Sequence, residues 1–517
     1  MYCAGPAHNT VQPYDKHTWH RPCYFLGMDT LNTPYRGMSL DNVAIVRPPN
    51  RLLMLTLNPQ SSTPLVLQIV AGFRADIEDG SLRPGSKAPS IRQFAHAHNV
   101  SVFTVVDAYD RLVAQGYFSS RPHSGFFVKN RPLSVAAVAG DGPNFNFDSM
   151  WYLRRIFENR ALRLKPGCGW LPGDWLFQDG VRRALRSLAT EETELSGYGE
   201  PKGYPPLRQL VCEMLAEQEI SVPPEQVLLT QGSSQAMDLV ARRLIRPGDA
   251  VLVDDPGYPN LLFSLRFLGA RLIGVPRTPN GYDLAELERL VIEEQPKVFF
   301  TQPRLHSPTG SIAQLSHLHR VMQLADKHNF LVVENDIYAD LDPEPRPSLA
   351  SLDQLNRVIY ISSFSKTISP NIRVGYVAAS PDLLEDLAQL KMISGLTSSE
   401  FSERLAHGAL TDGRCRKHVK GLRERLAKAH VATASLLLKA GFEIFCEPKA
   451  GIFLWARHPA LEDSAELAYK AAEQDILLGP GHLFSPDLRT SPWIRFNVIF
   501  CDEPALFAFL EAQCKTG

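Results

Sequence analysis

The sequence predicts an α/β chain in two modules: a small three-helix unit closed by a two-stranded wing, then a large unit on a mainly parallel seven-stranded sheet with a small C-terminal αβ portion. Three observations carry that expectation. Residues 64–128 hold three amphipathic helical patterns followed by two short alternating runs. Residues 131–146, rich in Ala, Val, Gly, Pro and Asn, have neither helical nor strand spacing, as a linker would. From residue 227 onward, seven short apolar runs alternate with helical patterns, the mark of a sheet covered by helices on both faces.

Composition narrows the partners. Lys and Arg number 54 against 55 Asp and Glu, so the whole chain carries no large field. Residues 61–131 differ, with eight Lys/Arg against five acids. The eight cysteines are scattered without a Cys-x-x-Cys pair, which argues against a metal site or a disulfide framework and fits a reducing compartment. No apolar run approaches the roughly 18 residues that span a bilayer, and the N-terminus lacks a signal pattern. A cytoplasmic protein with no membrane partner is expected.

Residues 1–60 lack periodicity and are expected to be a disordered extension, with His17 and His20 as exposed side chains rather than metal ligands. Leu65, Ile69, Val70, Phe73 and Ile77 then recur at helical spacing, and Gly80 closes the helix. Ser90 opens a second helix carrying Ile91, Phe94 and Ala95. Ser101 caps a third, with Val105, Ala108, Tyr109 and Leu112 on one face and Gly116 at its end. Tyr117-Phe118 and Phe126-Phe127-Val128 alternate around Ser124-Gly125 as a hairpin. Three helices and a wing make a winged helix-turn-helix, a fold that lays one helix in the major groove.

The wording of residues 61–130 is specific as well. Leu82-Arg83-Pro84-Gly85, Pro89-Ser90-Ile91-Arg92, Val100 to Val105, Ala108-Tyr109 and Ser124 to Val128 closely resemble the GntR-type DNA-binding domain. The resemblance implies an operator in double-stranded DNA, with Arg92, Ser101 and Thr104 against phosphates or base edges and the Ser124-Gly125 wing tip in the minor groove. Where many members carry arginine after the serine that opens the recognition helix, this chain has Val102, then Phe103. An apolar side chain can touch a thymine methyl but cannot grip guanine with two hydrogen bonds.

In the large unit, residues 147–517, the expected strands are 227–230, 250–253, 271–275, 298–301, 331–334, 358–361 and 374–378. Helical patterns lie between most of them, long helical stretches run from 381 to 440, and a strand at 493–500 carries Arg495. Ligands of such sheets sit beyond the carboxyl ends of the strands. Chemistry-bearing residues gather there. Lys366 is framed by Ser363 and Ser365 and followed seven positions on by Arg373, which suits a group that holds a phosphate while its amine meets an aldehyde. Gln231 to Met237 opens a helix just past the first strand, where free N–H groups and the hydroxyls of Ser233 and Ser234 make a phosphate seat.

Ser-x-Ser-Lys-x-x-x-Pro-x-x-Arg-x-Gly from Ser363 resembles the lysine motif of fold-type I pyridoxal phosphate enzymes, the aspartate aminotransferase superfamily. That resemblance implies pyridoxal 5'-phosphate as cofactor and Lys366 as the Schiff-base lysine. Ser233, Ser234, Gln235, Ser363, Ser365 and Arg373 would hold phosphate, with Tyr198 reaching across a dimer to the neighbour's. Tyr258, in Asp254 to Pro259, would stack on the pyridine ring, and Tyr338 would bond the phenolic oxygen. Ser307 stands where the family's Asn-Pro-Thr-Gly motif has asparagine, a shorter reach to that oxygen. An Asp three residues before the tyrosine commonly pairs with the pyridine nitrogen; by that count Asn335 faces the ring, whereas a bulge at the strand end would bring Asp336 there. Arg495 resembles the arginine that holds a substrate's α-carboxylate.

A GntR-like winged helix joined to an aminotransferase-like domain resembles the MocR-type transcriptional regulators over residues 60–517. The resemblance implies a head-to-tail homodimer that binds DNA and senses pyridoxal phosphate or an amino compound condensing with it. The alternative is a working aminotransferase with an accessory DNA-binding domain. Asn335 and Ser307 count against efficient turnover.

Overall fold

The computed structural model describes residues 55–61, 63–78, 81–121, 124–129, 152, 162–191, 196–447 and 450–514. Most of the extension, all of the 131–146 linker and the Gly80 helix stop lie outside the described residues. Contacts divide the chain into two compact units, with the division after Gly140.

In the small unit, α1 (Leu65–Glu78), α2 (Ile91–Ala97) and α3 (Val102–Ala114) precede an antiparallel pair, β1 (Phe118–Arg121) and β2 (Gly125–Val128). Phe73 is the hub of its core, with ring centroids 5.3 Å from Phe94, 5.6 Å from Tyr109 and 5.3 Å from Phe118. The buried Tyr109 hydroxyl donates to the Pro89 carbonyl at 3.1 Å, so the phenol is buried without losing its hydrogen bond. Ser90 and Gln93 form a capping box on α2, and Ser101 caps α3 by accepting the Thr104 N–H at 3.0 Å. Lys87 makes an isolated bridge to Phe127, a one-residue addition to the wing too short to leave a pattern in the sequence.

The large unit is organised by a sheet of eight strands: β3 (Val227–Thr230), β4 (Ala250–Asp255), β5 (Arg271–Thr278), β6 (Gly281–Tyr282), β7 (Val298–Thr301), β8 (Leu331–Asn335), β9 (Val358–Ser363) and β10 (Gly375–Ala378). Their order is β3-β10-β9-β8-β7-β4-β5-β6. Neighbours run parallel from β9 across to β5, while β10 opposes both its neighbours and β6 opposes β5. The seven expected strands are present; the eighth, β6, has two residues and no period to read. Both faces are covered. Val227, Leu229, Phe299 and Val332 enter one core, and Leu228, Val298, Phe300 and Val333 enter the other. Burial on both sides is why these strands read as unbroken apolar runs.

The C-terminal portion adds an antiparallel sheet ordered β11-β12-β14-β13, from β11 (Glu443–Ile444), β12 (Phe453–Arg457), β13 (Gly479–Pro480) and β14 (Trp493–Asn497). The strand expected at 493–500 stops at Asn497, whose side chain accepts the Ile499 N–H at 3.1 Å and turns the chain into a short 3-10 segment. The helical stretch at 381–440 is three helices, Pro381–Gly395, Glu400–Leu410 and Cys415–Lys439.

Candidate functional site

The carboxyl ends of β3, β4, β7, β8 and β9, with β14, carry the expected residues of the large unit other than Tyr198. Between β3 and the helix Ser233–Leu244 the chain turns at Gly232, whose φ of 79° lies in the left-handed region that glycine adopts without strain. A β-carbon there would sit 2.8 Å from Arg373 Nη2, so a larger residue would push the guanidinium off this helix start. Arg373 donates to the Gln231 carbonyl at 2.8 Å and itself holds a left-handed φ of 56°, a strained state for an arginine. No side chain caps the helix, so its first N–H groups face outward beside a cation. Gln235 is partly committed, since its Oε1 accepts the Gln231 N–H at 2.7 Å.

Lys366 ends a short turn after β9. Ser363 holds that turn: its hydroxyl accepts the Ser365 N–H at 3.2 Å, lies 2.8 Å from Ser365 Oγ and donates to the Val374 carbonyl at 3.1 Å. Lys366 Nζ donates to the Gly169 carbonyl at 2.6 Å and stands 5.5 Å from the Tyr338 ring centroid. Burial, and then the nearby Arg495 charge, lower its pKa from 10.5 to about 8, which raises the share of nucleophilic amine near neutral pH. Arg495, buried between the rings of Phe453 and Phe484, donates to the Gly167 carbonyl at 2.6 Å. Its Nε has no hydrogen-bond partner, and among the described residues no carboxylate pairs with it. A buried cation without an anion is what a carboxylate-binding site looks like when read from the protein side.

A recess that adjoins these groups through Tyr258 is lined by Tyr258, Ser307 and Asn335, with Met237, Asp254 and His306 among its other walls; Lys366, Arg373 and Arg495 do not line it. Burial raises the pKa of the Tyr258 phenol, while Arg495 and hydrogen bonds to Ser234 and Asn260 work the other way. Tyr338 is buried edge-on to Phe453 at 5.9 Å. Asn335 is 6% exposed and its Oδ1 has no partner. Asp336 is 0% exposed and does not line the recess. Arg304 Nε donates to its Oδ1 at 3.1 Å, Arg304 Nη2 pairs with its Oδ2, and the Tyr360 hydroxyl donates to Oδ2 at 3.0 Å. The strand end is unbulged up to Asn335, so successive side chains alternate: Val333 and Asn335 share the recess side, and Asp336 turns to the other. The bulge that would have swung Asp336 into the site is not there.

Tyr198 is not gathered with these residues. It is 83% exposed, in a separate depression formed with Gly197, Gly199 and residues 397–401. The sequence reading missed the Gly167-Cys168-Gly169 segment that receives both cations, and it missed Arg304 as the partner of Asp336. A glycine-rich stretch without period carries no local signal, and the arginine's partner lies 32 residues away.

On the small unit, Val102 and Phe103 project from the first turn of α3, and Phe103 is 85% exposed. Ser101 Oγ and Thr104 Oγ1 lie 2.8 Å apart, so both hydroxyls serve the cap. Arg92, Ser124 and Gly125 are exposed, and the Arg121 guanidinium packs 4.6 Å from the Phe127 ring centroid on the wing. Among the described residues no helix is long and apolar enough to cross a membrane.

Residues 172–510 match the aminotransferase class I and II family, and residues 65–128 match the bacterial regulatory proteins of the gntR family. The chain belongs to the class I and II aminotransferases. With a GntR segment ahead of that domain, it has the build of the MocR-type regulators. It is 28% identical over 449 residues to the probable rhizopine catabolism regulatory protein MocR of Rhizobium meliloti, covering 84% of this chain and 88% of that protein. The uncharacterized HTH-type transcriptional regulator YisV of Bacillus subtilis is 27% identical over 89% of this chain and 97% of its own. A 2-aminoadipate transaminase of Thermus thermophilus is 32% identical over 68% of this chain and 90% of its own. Among solved structures, the α-aminoadipate aminotransferase LysN of Thermus thermophilus, complexed with N-(5'-phosphopyridoxyl)-L-leucine, superposes with a TM-score of 0.66 at 26% identity, covering 74% of this chain and 98% of that one. The GntR segment marks the small unit of this aminotransferase-family chain as a DNA-binding element.

Proposed function

We propose that the chain is a cytoplasmic, DNA-binding transcriptional regulator that takes up pyridoxal phosphate on Lys366 and responds to it or to an amino compound that condenses with it. In this reading the extension covers residues 1–60, the winged helix 61–130, the linker 131–146 and the cofactor domain 147–517. The observation that carries it is one chain holding both an exposed recognition-helix start, with Phe103 outermost, and a half-buried lysine of lowered pKa beside an uncapped helix start and an arginine that, among the described residues, pairs with no carboxylate.

The residues suit the cofactor. Backbone N–H groups at Ser233, Ser234 and Gln235, with the Arg373 guanidinium and the Ser365 hydroxyl, would take the phosphate. Tyr258 would lie along the ring, Ser307 and Tyr338 would approach the phenolic oxygen, and Arg495 would select a carboxylate. Tyr198, exposed and away from its own Lys366, fits a role at the site of a second copy in a head-to-tail homodimer. When bound, the cofactor supplies an aldehyde that captures primary amines. A bound effector would shift the spacing of the two winged helices and hence the operator they fit.

The deciding experiment is a mobility-shift titration on the DNA upstream of the coding sequence, with and without pyridoxal phosphate, for the wild type and Lys366→Ala. A response to the cofactor that the variant lacks supports the regulator. Rapid conversion of bound cofactor to its amine form by amino acids, with DNA binding indifferent to cofactor, favours the aminotransferase reading instead.

A further inference from the structure

The recess lined by Tyr258 and Ser307 also presents the neutral amide of Asn335. Building on the cofactor reading above, we propose that Asn335 meets the ring nitrogen of pyridoxal phosphate and leaves it unprotonated, so that the chain captures amines without carrying them through turnover.

The observation begins with strand parity. Val333 and Asn335 line the recess with Tyr258, whereas Val332 belongs to the opposite core, and Asp336 is bound to Arg304 and Tyr360. Asn335 carries a buried amide whose Oδ1 end is left without a partner, and because a half-turn of the amide exchanges its oxygen and its NH2, that end can present a donor to a ligand. The recess does contain one carboxylate, Asp254, and it is already hydrogen-bonded and charge-paired within the protein. Thr301 Oγ1 donates to it at 2.9 Å, the Gln302 N–H at 2.8 Å, His306 Nε2 lies 3.3 Å away and Arg277 Nη1 3.6 Å away. Among the described residues, therefore, no uncommitted carboxylate faces the recess.

A pyridine nitrogen keeps its proton at neutral pH when an ionised carboxylate sits against it, because the ion pair stabilises the charged form. An amide offers no charge. Its Nδ2–H can donate to the nitrogen lone pair, which stabilises the unprotonated ring. Such a ring withdraws electrons weakly, so loss of the α-proton from a captured amine is slow, while phosphate contacts, ring stacking and the lysine bond are untouched.

The test loads the full-length protein with pyridoxal phosphate labelled with 15N at the ring, fixes occupancy by borohydride trapping on Lys366, and reads the nitrogen by solid-state NMR at neutral pH. Neutral pyridine and pyridinium resonances are well separated. The wild type is expected to give the pyridine signal, and Asn335→Asp the pyridinium signal together with at least a tenfold faster half-transamination. A pyridinium signal in the wild type overturns the inference and leaves the cofactor reading standing, as does an Asn335→Asp protein that loads but keeps the wild-type signal. No trapped label on Lys366 removes the cofactor reading, and the inference with it. Should Asn335→Asp fail to fold, the wild-type spectrum decides alone.

Discussion

Replacing Arg304 by methionine tests the arrangement that turns Asp336 away from the recess. The native guanidinium gives two charge-assisted contacts to a carboxylate that is 0% exposed, and the third contact comes from Tyr360 at 3.0 Å. Burial works against the charge on Arg304, and the Asp336 carboxylate beside it outweighs burial and holds its pKa above the ordinary value. Methionine fills much of the same volume but leaves a buried carboxylate with one donor, so the expected cost is about 3–5 kcal/mol. Changing both partners, Arg304→Met with Asp336→Asn, removes the stranded charge and is expected to recover all but about 2 kcal/mol. Urea unfolding followed by tryptophan fluorescence is a clean assay, because Trp170, Trp175, Trp455 and Trp493 belong to the large unit and residues 61–130 contain no tryptophan. An Arg304→Met protein within about 1 kcal/mol of wild type would refute the reasoning. It would mean that the buried carboxylate is relieved without the guanidinium, by taking up a proton where it stands.

Three further outcomes are expected. Trapping of pyridoxal phosphate on Lys366 by borohydride should accelerate with pH and level off above about 8 rather than above 10.5, because burial and Arg495 favour the neutral amine. Phe103→Arg should shift operators recovered by in vitro selection toward guanine at the contacted position, by about 1–3 kcal/mol of discrimination, whereas Arg92→Ala should weaken all sequences alike and lower the salt slope by about one. His306 and His430, buried and held neutral, have pKa values lowered from 6.5 to about 4, burial being the main cause. Their folded pKa lies below the unfolded one, so their contribution is complete above pH 6.5 and is lost as pH falls toward 4. At about 1.4 kcal/mol per unit, that loss is about 3 kcal/mol for each histidine. The denaturation midpoint should fall across that window, and His430→Gln should flatten part of the decline.

What the sequence disclosed was whatever it carries in contiguous form. The strands of the large sheet are buried on both faces, so each reads as an apolar run that needs no partner to be recognised, and Ser90 and Ser101 announce their helices within four residues. Lys366, its serines and Arg373 fall inside one motif for the same reason. Side-chain direction is different. Whether Asn335 or Asp336 faced the recess depended on where β8 keeps its pleat, and one residue of bulge would have exchanged them. The partners that settle the matter are remote: Arg304 lies 32 residues from Asp336, and Lys366 rests on a carbonyl 197 residues away. Tyr198 shows the converse, a residue legible by motif whose surroundings in a single chain say nothing of Lys366.

The two cations of the site also share an unexpected anchor. Lys366 Nζ and Arg495 Nη2 donate to the carbonyls of Gly169 and Gly167, two residues apart on one segment, each at 2.6 Å. Asn497 reinforces that segment by donating to the Cys168 carbonyl at 3.2 Å and the Trp170 carbonyl at 2.8 Å. Carbonyl dipoles satisfy a buried ammonium or guanidinium only in part, since neither brings a countercharge. An aldehyde that takes the lysine proton out of play, and a carboxylate that neutralises Arg495, each replace a dipole with a stronger partner. Under the proposed reading both substitutions would loosen the hold on the same three residues, and the 167–169 segment would couple the binding of the cofactor to that of its amino-compound ligand.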